Sequence, residues 1–321
     1  MSARAWAAFG AISAIWGVPY LFIKIAVDHG VPPAGVAFGR VALGAAVLYP
    51  LARRAKALSS LQGHWRWLVV YAVFEISLPF PLIAFGEQHV ASSLAAILIA
   101  TTPMIVTLLA LRFDPSERPT ATRLIGLLVG FLGVIAFVGI DVVGRSGELL
   151  GTGAILLAAA GYAVGPIVFK LRLAHIDPRA TMTGSLGIAA VLLAPLAVID
   201  APRAVPPVNA LASIVVLGVV CTAAAFLIFA ALIADAGPGR SLVVTYINPV
   251  IAVGLGVALL GERPGAGAVA GLLLILAGSW LSTDGRLPPR LAALAARIPR
   301  RGGRLGPPAA RPRRAAEART G

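Results

Sequence analysis

Apolar residues fall in ten long runs, at 5–24, 34–52, 66–85, 91–111, 123–140, 150–170, 180–199, 211–233, 238–260 and 266–283, with polar and charged residues gathered between them. A helix needs about 20 mostly apolar residues to cross the hydrocarbon core, so each run predicts a spanning helix. Barrel strands would alternate in character over about ten residues, whereas these runs are continuous. A helix also satisfies its own backbone where no water is present. The first run follows Arg4 and so shares the opening of a secretory leader. It nevertheless continues to Lys24, holds Trp16 and Pro19, and is followed by no small-x-small cleavage site, so it reads as a helix.

Composition agrees: 59% of the 321 residues are hydrophobic, 12% are charged, and mean hydropathy is +0.90. A soluble domain carries about twice that charged fraction. Soluble domains, disorder and a disulfide scaffold are excluded together. The formal charge of +14 is uneven. The stretch after Asp284 holds ten arginines and one acid, Glu317, so the high pI is mostly a property of the tail and not a nucleic-acid footprint. The tail is expected to be disordered, with its arginines drawn to anionic lipid headgroups. Cys221 is the single cysteine, which rules out an internal disulfide and reads as a small packing residue.

Lysine and arginine in short loops set orientation. With the N-terminus inside, 22 of the 27 basic residues fall on the cytoplasmic side, four outside, and Arg40 within a span. An even number of spans puts both termini in the cytoplasm of a cell whose inner membrane the chain crosses.

The chain also repeats itself. Ser116-Glu117-Arg118-Pro119 returns as Gly261-Glu262-Arg263-Pro264, and the same shift carries Gly126 to Gly271 and Gly133 to Gly278. A shift one residue longer carries Trp16 to Tyr162, Lys24 to Lys170 and Pro103 to Pro249. Two five-helix halves follow, 1–145 and 146–284, with a basic Pro/Arg-rich tail at 285–321. Five is odd, so the second half enters the membrane inverted. Inverted halves around a midplane site are the layout of secondary transporters. The expected fold is therefore an all-α integral membrane protein, ten transmembrane helices in two inverted five-helix repeats around a central cavity.

Some of these residues carry a family likeness. Ile15-Trp16-Gly17-Val18-Pro19, Arg40 in the second span, and Pro103 ahead of Glu117 resemble the first EamA domain of the drug/metabolite transporter superfamily. Tyr246-Ile247-Asn248-Pro249-Val250 followed by Leu260-Gly261-Glu262-Arg263 resembles the second domain's signature. The resemblance covers residues 5–283. It implies a ten-helix permease moving small metabolites such as amino acids or drug-like solutes, with outward movement the expected direction. It names no single solute, and the long tail departs from the family's short end.

Two ionisable residues inside spans are candidates for function, because charge in hydrocarbon is costly. Glu75 lies nine residues past Arg66, about 14 Å deep at 1.5 Å per residue. Arg40 lies about 9 Å from the outer edge by the same rise. Either Arg40 holds a substrate carboxylate while Glu75 carries the coupling proton, or the two form a structural ion pair. The substrate-binding candidates are Trp16, Tyr20, Arg40, Glu75, Thr101, Thr102, Tyr162, Thr245, Tyr246 and Asn248. Trp16, Tyr20 and Tyr162 lie on the first and sixth spans. Thr101-Thr102-Pro103 and Thr245 to Pro249 are repeat mates on the fourth and ninth. Pro79 and Pro81 bend the third span just past Glu75. Gly126-x-x-x-Gly130 and Gly267-x-x-x-Gly271 let backbones approach, within the chain or against a second copy as a homodimer. Glu117 and Glu262 stand at loop borders, where they cap helices or pair with Arg118 and Arg263.

Enzyme signatures are missing: the chain has no phosphate loop, dinucleotide fingerprint or HExxH. The four histidines, His29, His64, His89 and His175, stand singly in different loops and read as solvated. No cofactor, metal or catalytic residue is expected, and the partners are a small-molecule substrate and membrane lipid. The rival functions are an integral-membrane enzyme acting on lipid, which would cluster acids or histidines at one face, and a non-transporting scaffold.

Overall fold

The computed structural model describes residues 2–113, 120–137, 146–202, 204–236 and 244–282. All regular structure among them is helical. Seven helices are long and apolar enough to cross a membrane: α1 Ala3–Asp28, α2 Pro33–Arg54, α3 Trp65–Glu87, α4 Ser92–Leu109, α6 Ser146–Leu173, α7 Pro178–Ile199 and α8 Val208–Leu232. Three shorter apolar helices complete the set: α5 Ala121–Phe137, α9 Val244–Leu260 and α10 Ala266–Ser282. Each falls on one of the ten runs. The first and sixth are longer than the apolar pattern indicates, because polar ends such as Lys24 and Asp28 continue the helix beyond the hydrocarbon.

Proline shapes these helices. Pro19 divides α1 into two helical pieces, Ala3–Gly17 and Pro19–Asp28, and Pro33 and Pro178 occupy first turns, where a missing N–H costs nothing. In α3 the ring of Pro79 would clash with the carbonyl four residues back, which belongs to Glu75. The chain responds with a π turn over Val73–Ser77, and Leu78 N–H reaches Val73 O at 2.9 Å. A second π segment, Val216–Ala224, occupies the corresponding part of α8 without a proline, and a third ends α6 at Phe169–Leu173.

Packing is built on close backbone approach. A Cβ at Gly278 of α10 would overlap the backbone of Gly130 on α5, so this pair of helices is in direct contact. Helices α2 and α7 pair similarly, as do α4 and α9. Helix α3 lies against α6 as α1 lies against α8, α6 against α4 as α1 against α9, and α2 against α8 as α7 against α3. Among the described residues, the contacts of α1 with α3 and with α4 have no counterpart of similar extent between α6 and α8 or between α6 and α9. Large apolar side chains such as Leu124, Leu128, Phe131 and Leu273 point outward, where lipid is the natural solvent.

Hydrogen bonds at the helix ends sort them into two faces. Ser2 donates to Asp235, and His64 meets His175, at the face that carries the N-terminus. At the opposite face Lys24 donates to Glu87 O, His29 meets Asn209, and Glu262 reaches Ser92. Helices α1 and α3 thus start at the N-terminal face, whereas α8 starts at the other.

Candidate functional site

Arg40 is 8% exposed on α2, in the interior of the bundle. Its Nε donates to Thr222 Oγ1 at 2.8 Å, and the Thr222 hydroxyl in turn donates to Leu217 O at 2.8 Å. The guanidinium carbon stands 4.0 Å above the centre of the Phe80 ring. Stacking and the Nε bond therefore fix the plane of the guanidinium. Its two terminal nitrogens have no hydrogen-bond partner among the described residues, and neither is sealed from solvent-sized space. A planar fork held by its stem with its donors unused matches a carboxylate.

Glu75 rides on the π turn of α3. Its Oε2 is buried and has no hydrogen-bond partner among the described residues. The carboxyl lies against Gly165 of α6, where a Cβ would overlap it. No ion pair joins it to Arg40 among the described residues. Tyr162, one turn before Gly165, stands within electrostatic reach of both Arg40 and Glu75. Tyr20 of α1 is within reach of Tyr162 and Arg40. Tyr162 packs partly into the two apolar clusters that meet here, and Tyr20 into the first of them.

The other candidates divide. Trp16 packs on Phe229 with ring centres 4.6 Å apart, joining α1 to α8. Thr101 and Thr102 donate to Leu98 O and Ile99 O of their own helix, each at 2.7 Å, beside the turn that interrupts it at residues 100–101. The Asn248 amide, oriented to suit its neighbours, donates to Val244 O at 2.8 Å and Ser13 O at 3.2 Å, tying α9 to α1. Thr245 is half-buried on the same helix. The Tyr246 side chain, Glu117, and the tail from 285 lie outside the described residues. Two hollows, of about 530 and 580 Å³, border the outside of α3, and neither reaches Arg40 or Glu75. The expected central cavity is not one of these two hollows.

Sequence reasoning missed three things. Thr222 anchors Arg40, and the repeat offered a signal, since the mate of Glu75 is the adjacent Cys221. Glu87 is fully buried near Lys24, Asp28 and Glu262, with neither carboxyl oxygen hydrogen-bonded among the described residues. Lys24 there pairs with Asp28 at 3.0 Å. Glu262 does cap a helix, as expected, but a distant one: it accepts from Ser92 N at 2.7 Å and Ser93 N at 3.0 Å at the start of α4. The histidines are not all single, because His64 and His175 meet. Cys221 is buried, as its apolar setting implied.

A bundle with seven helices long and apolar enough to cross a membrane, holding an arginine and a glutamate in its interior, has the build of a multi-pass membrane protein. Residues 4–139, and again 149–283, match the EamA-like transporter family, and the chain belongs to that family. It is 24% identical over 276 residues to the uncharacterized transporter YoaV of Bacillus subtilis, covering 85% of this chain and 94% of that protein. It is 27% identical over 265 residues to the uncharacterized inner membrane transporter YedA of Escherichia coli K12, covering 79% and 83%. A crystal structure 20% identical in sequence superposes with a TM-score of 0.62 over 91% of this chain and 99% of its own, which shows the shared fold.

Proposed function

We propose that the protein is a secondary transporter of the inner membrane that exports a small carboxylate-bearing metabolite, an amino acid or drug-like solute, by alternating access of two inverted five-helix halves. The carrying observation is the free fork of Arg40, stacked on Phe80 and anchored by Thr222. Two halves, 1–145 and 146–284, are supported by the double family match and by the helix contacts that exchange under the repeat. Inversion is supported by α3 and α8 starting at opposite faces. The excess of arginine and lysine favours the cytoplasm for the N-terminal face, and outward movement is the family expectation.

In this reading substrate enters between α1, α2, α3, α6 and α8. Arg40 takes its carboxylate and Tyr20 and Tyr162 line its path. Glu75 carries the coupling proton across the gap that Tyr162 bridges. No covalent step is involved, so the work is differential binding in two conformations. Counterflow in proteoliposomes against a panel of amino acids and other small carboxylates tests this. Saturable flux that is lost in Arg40→Gln and weakened in Arg40→Lys is expected, since lysine keeps charge but not the fork. Flux indifferent to both changes overturns the site, and product formation in place of flux overturns the class.

A further inference from the structure

We propose that His64 and His175 form a proton-sensitive latch at the cytoplasmic face, matched at the outer face by an acid-tolerant latch made of His29 and Asn209. The proposal rests on the alternating-access reading and adds a control to it. His64 precedes α3 and His175 follows α6. Their Nε2 atoms are 3.0 Å apart and their ring centres 4.8 Å, packed edge to face. His64 Nδ1 lies 2.9 Å from Gln62 O, and a carbonyl only accepts, so this nitrogen carries a hydrogen. One of the two facing Nε2 atoms must then be bare. The pair holds one proton between its rings and fails when both facing nitrogens are protonated.

The opposite face repeats the joint with different chemistry. His29 follows α1, the mate of α6, and the shift that takes Lys24 to Lys170 takes His29 to His175. Asn209 lies in the first turn of α8, the mate of α3. His29 Nε2 is 2.8 Å from Asn209 Nδ2, and His29 Nδ1 is 2.7 Å from Ile25 O. An amide offers a donor on one side and an acceptor on the other. If His29 gains a proton, a flip of Asn209 presents its oxygen, and the Ala210 N–H it now accepts from at 2.9 Å keeps its other acceptor, Pro207 O, at 3.0 Å. Acid therefore spares the outer joint.

The charged groups on elements around the inner joint favour release once the second proton arrives. Arg66 and Arg172 stand 5.1 and 4.6 Å from the Trp67 ring centre, Arg179 pairs with Asp177 at 3.5 Å, and Lys56 opens the preceding short helix. Cations outnumber the single acid. Acidification of the cytoplasm supplies that second proton, parts α3 from the α6–α7 turn and biases the protein toward inward opening.

Spin labels at Gln62→Cys and Ala174→Cys, in full-length Cys221→Ala protein in nanodiscs, read the inner joint. Ala34→Cys and Val208→Cys read the outer one. Between about pH 8 and about pH 5, either side of the imidazole range, a longer inner distance should grow severalfold while the outer distance holds. His64→Asn copies the outer chemistry and should abolish the change. His175→Asn should do the same and serves if the first variant misfolds. An inner distance that ignores pH, or one that moves equally in the variants, overturns the latch. Distances are read without substrate or gradient, so failure here and failure of the transport reading are separable.

Discussion

Whether Arg40 and Glu75 are partners can be settled by a double-mutant cycle. Breaking a buried ion pair by removing one member costs about 3–5 kcal/mol, because it strands the other charge. The double change would then restore most of that loss. The structure separates the two groups, and so gives different values. Arg40→Gln removes a charged hydrogen bond to Thr222, about 1.5–3 kcal/mol, and the stack on Phe80, about 0.5–2 kcal/mol. Glu75→Gln removes no hydrogen bond and replaces an unsatisfied buried oxygen, so stability should hold or rise. The two effects should add to within about 0.5 kcal/mol, as expected of sites without a shared bond. Cys221 supplies the assay: it is the sole cysteine and 1% exposed, so a thiol-reactive dye reports unfolding in detergent. Recovery in the double variant of the stability lost in Arg40→Gln would refute the separation. Transport is read on the same three proteins. Glu75→Gln should abolish gradient-driven accumulation and spare passive counterflow, since an amide keeps the shape but cannot exchange a proton.

Other expectations are more local. Thr222→Val should raise the half-saturating concentration of a carboxylate substrate about tenfold or more, the equivalent of about 1.5–3 kcal/mol for a charged hydrogen bond, with turnover near normal. Thr222→Ser should restore it. Glu262→Ala should lower stability by about 1 kcal/mol, as loss of a helix cap does, and Glu262→Gln should lose only part of this. Deleting residues 286–321 should leave insertion and flux intact, and complete loss of flux from an inserted truncation would show that the tail gates. Cysteine labelling should find residues 55–64 in the cytoplasm and 261–265 outside.

The fold was legible because hydrocarbon demands long apolar helices, and composition alone meets that demand. Paired motifs such as Ser116-Glu117-Arg118-Pro119 and Gly261-Glu262-Arg263-Pro264 pointed to a repeat but not to which helices touch. The site was legible only in its charges. Arg40 and Glu75 stand out because charge is rare in a span, whereas Thr222 is one of many hydroxyls in apolar runs. Its role depends on α2 meeting α8, 182 residues away in sequence for this bond. Thr101 and Asn248 show what such a pattern leaves open: small polar groups in a membrane helix have backbone carbonyls close by, and here both side chains donate to such carbonyls. The His64–His175 contact was invisible because loops carry no periodicity that reports which turns meet.

The bond between Glu262 and the start of α4 has a bearing on how the protein is made. The two partners are 170 residues apart. At about 5–20 residues per second of synthesis, the first N–H groups of α4 emerge about 10–35 s before the carboxylate that will cap them. During that interval the helix end relies on water and lipid headgroups at the membrane surface. Completion of α4 is therefore among the last events of biogenesis, and residues 1–145 expressed alone would insert with one helix end unfinished until the second half is supplied.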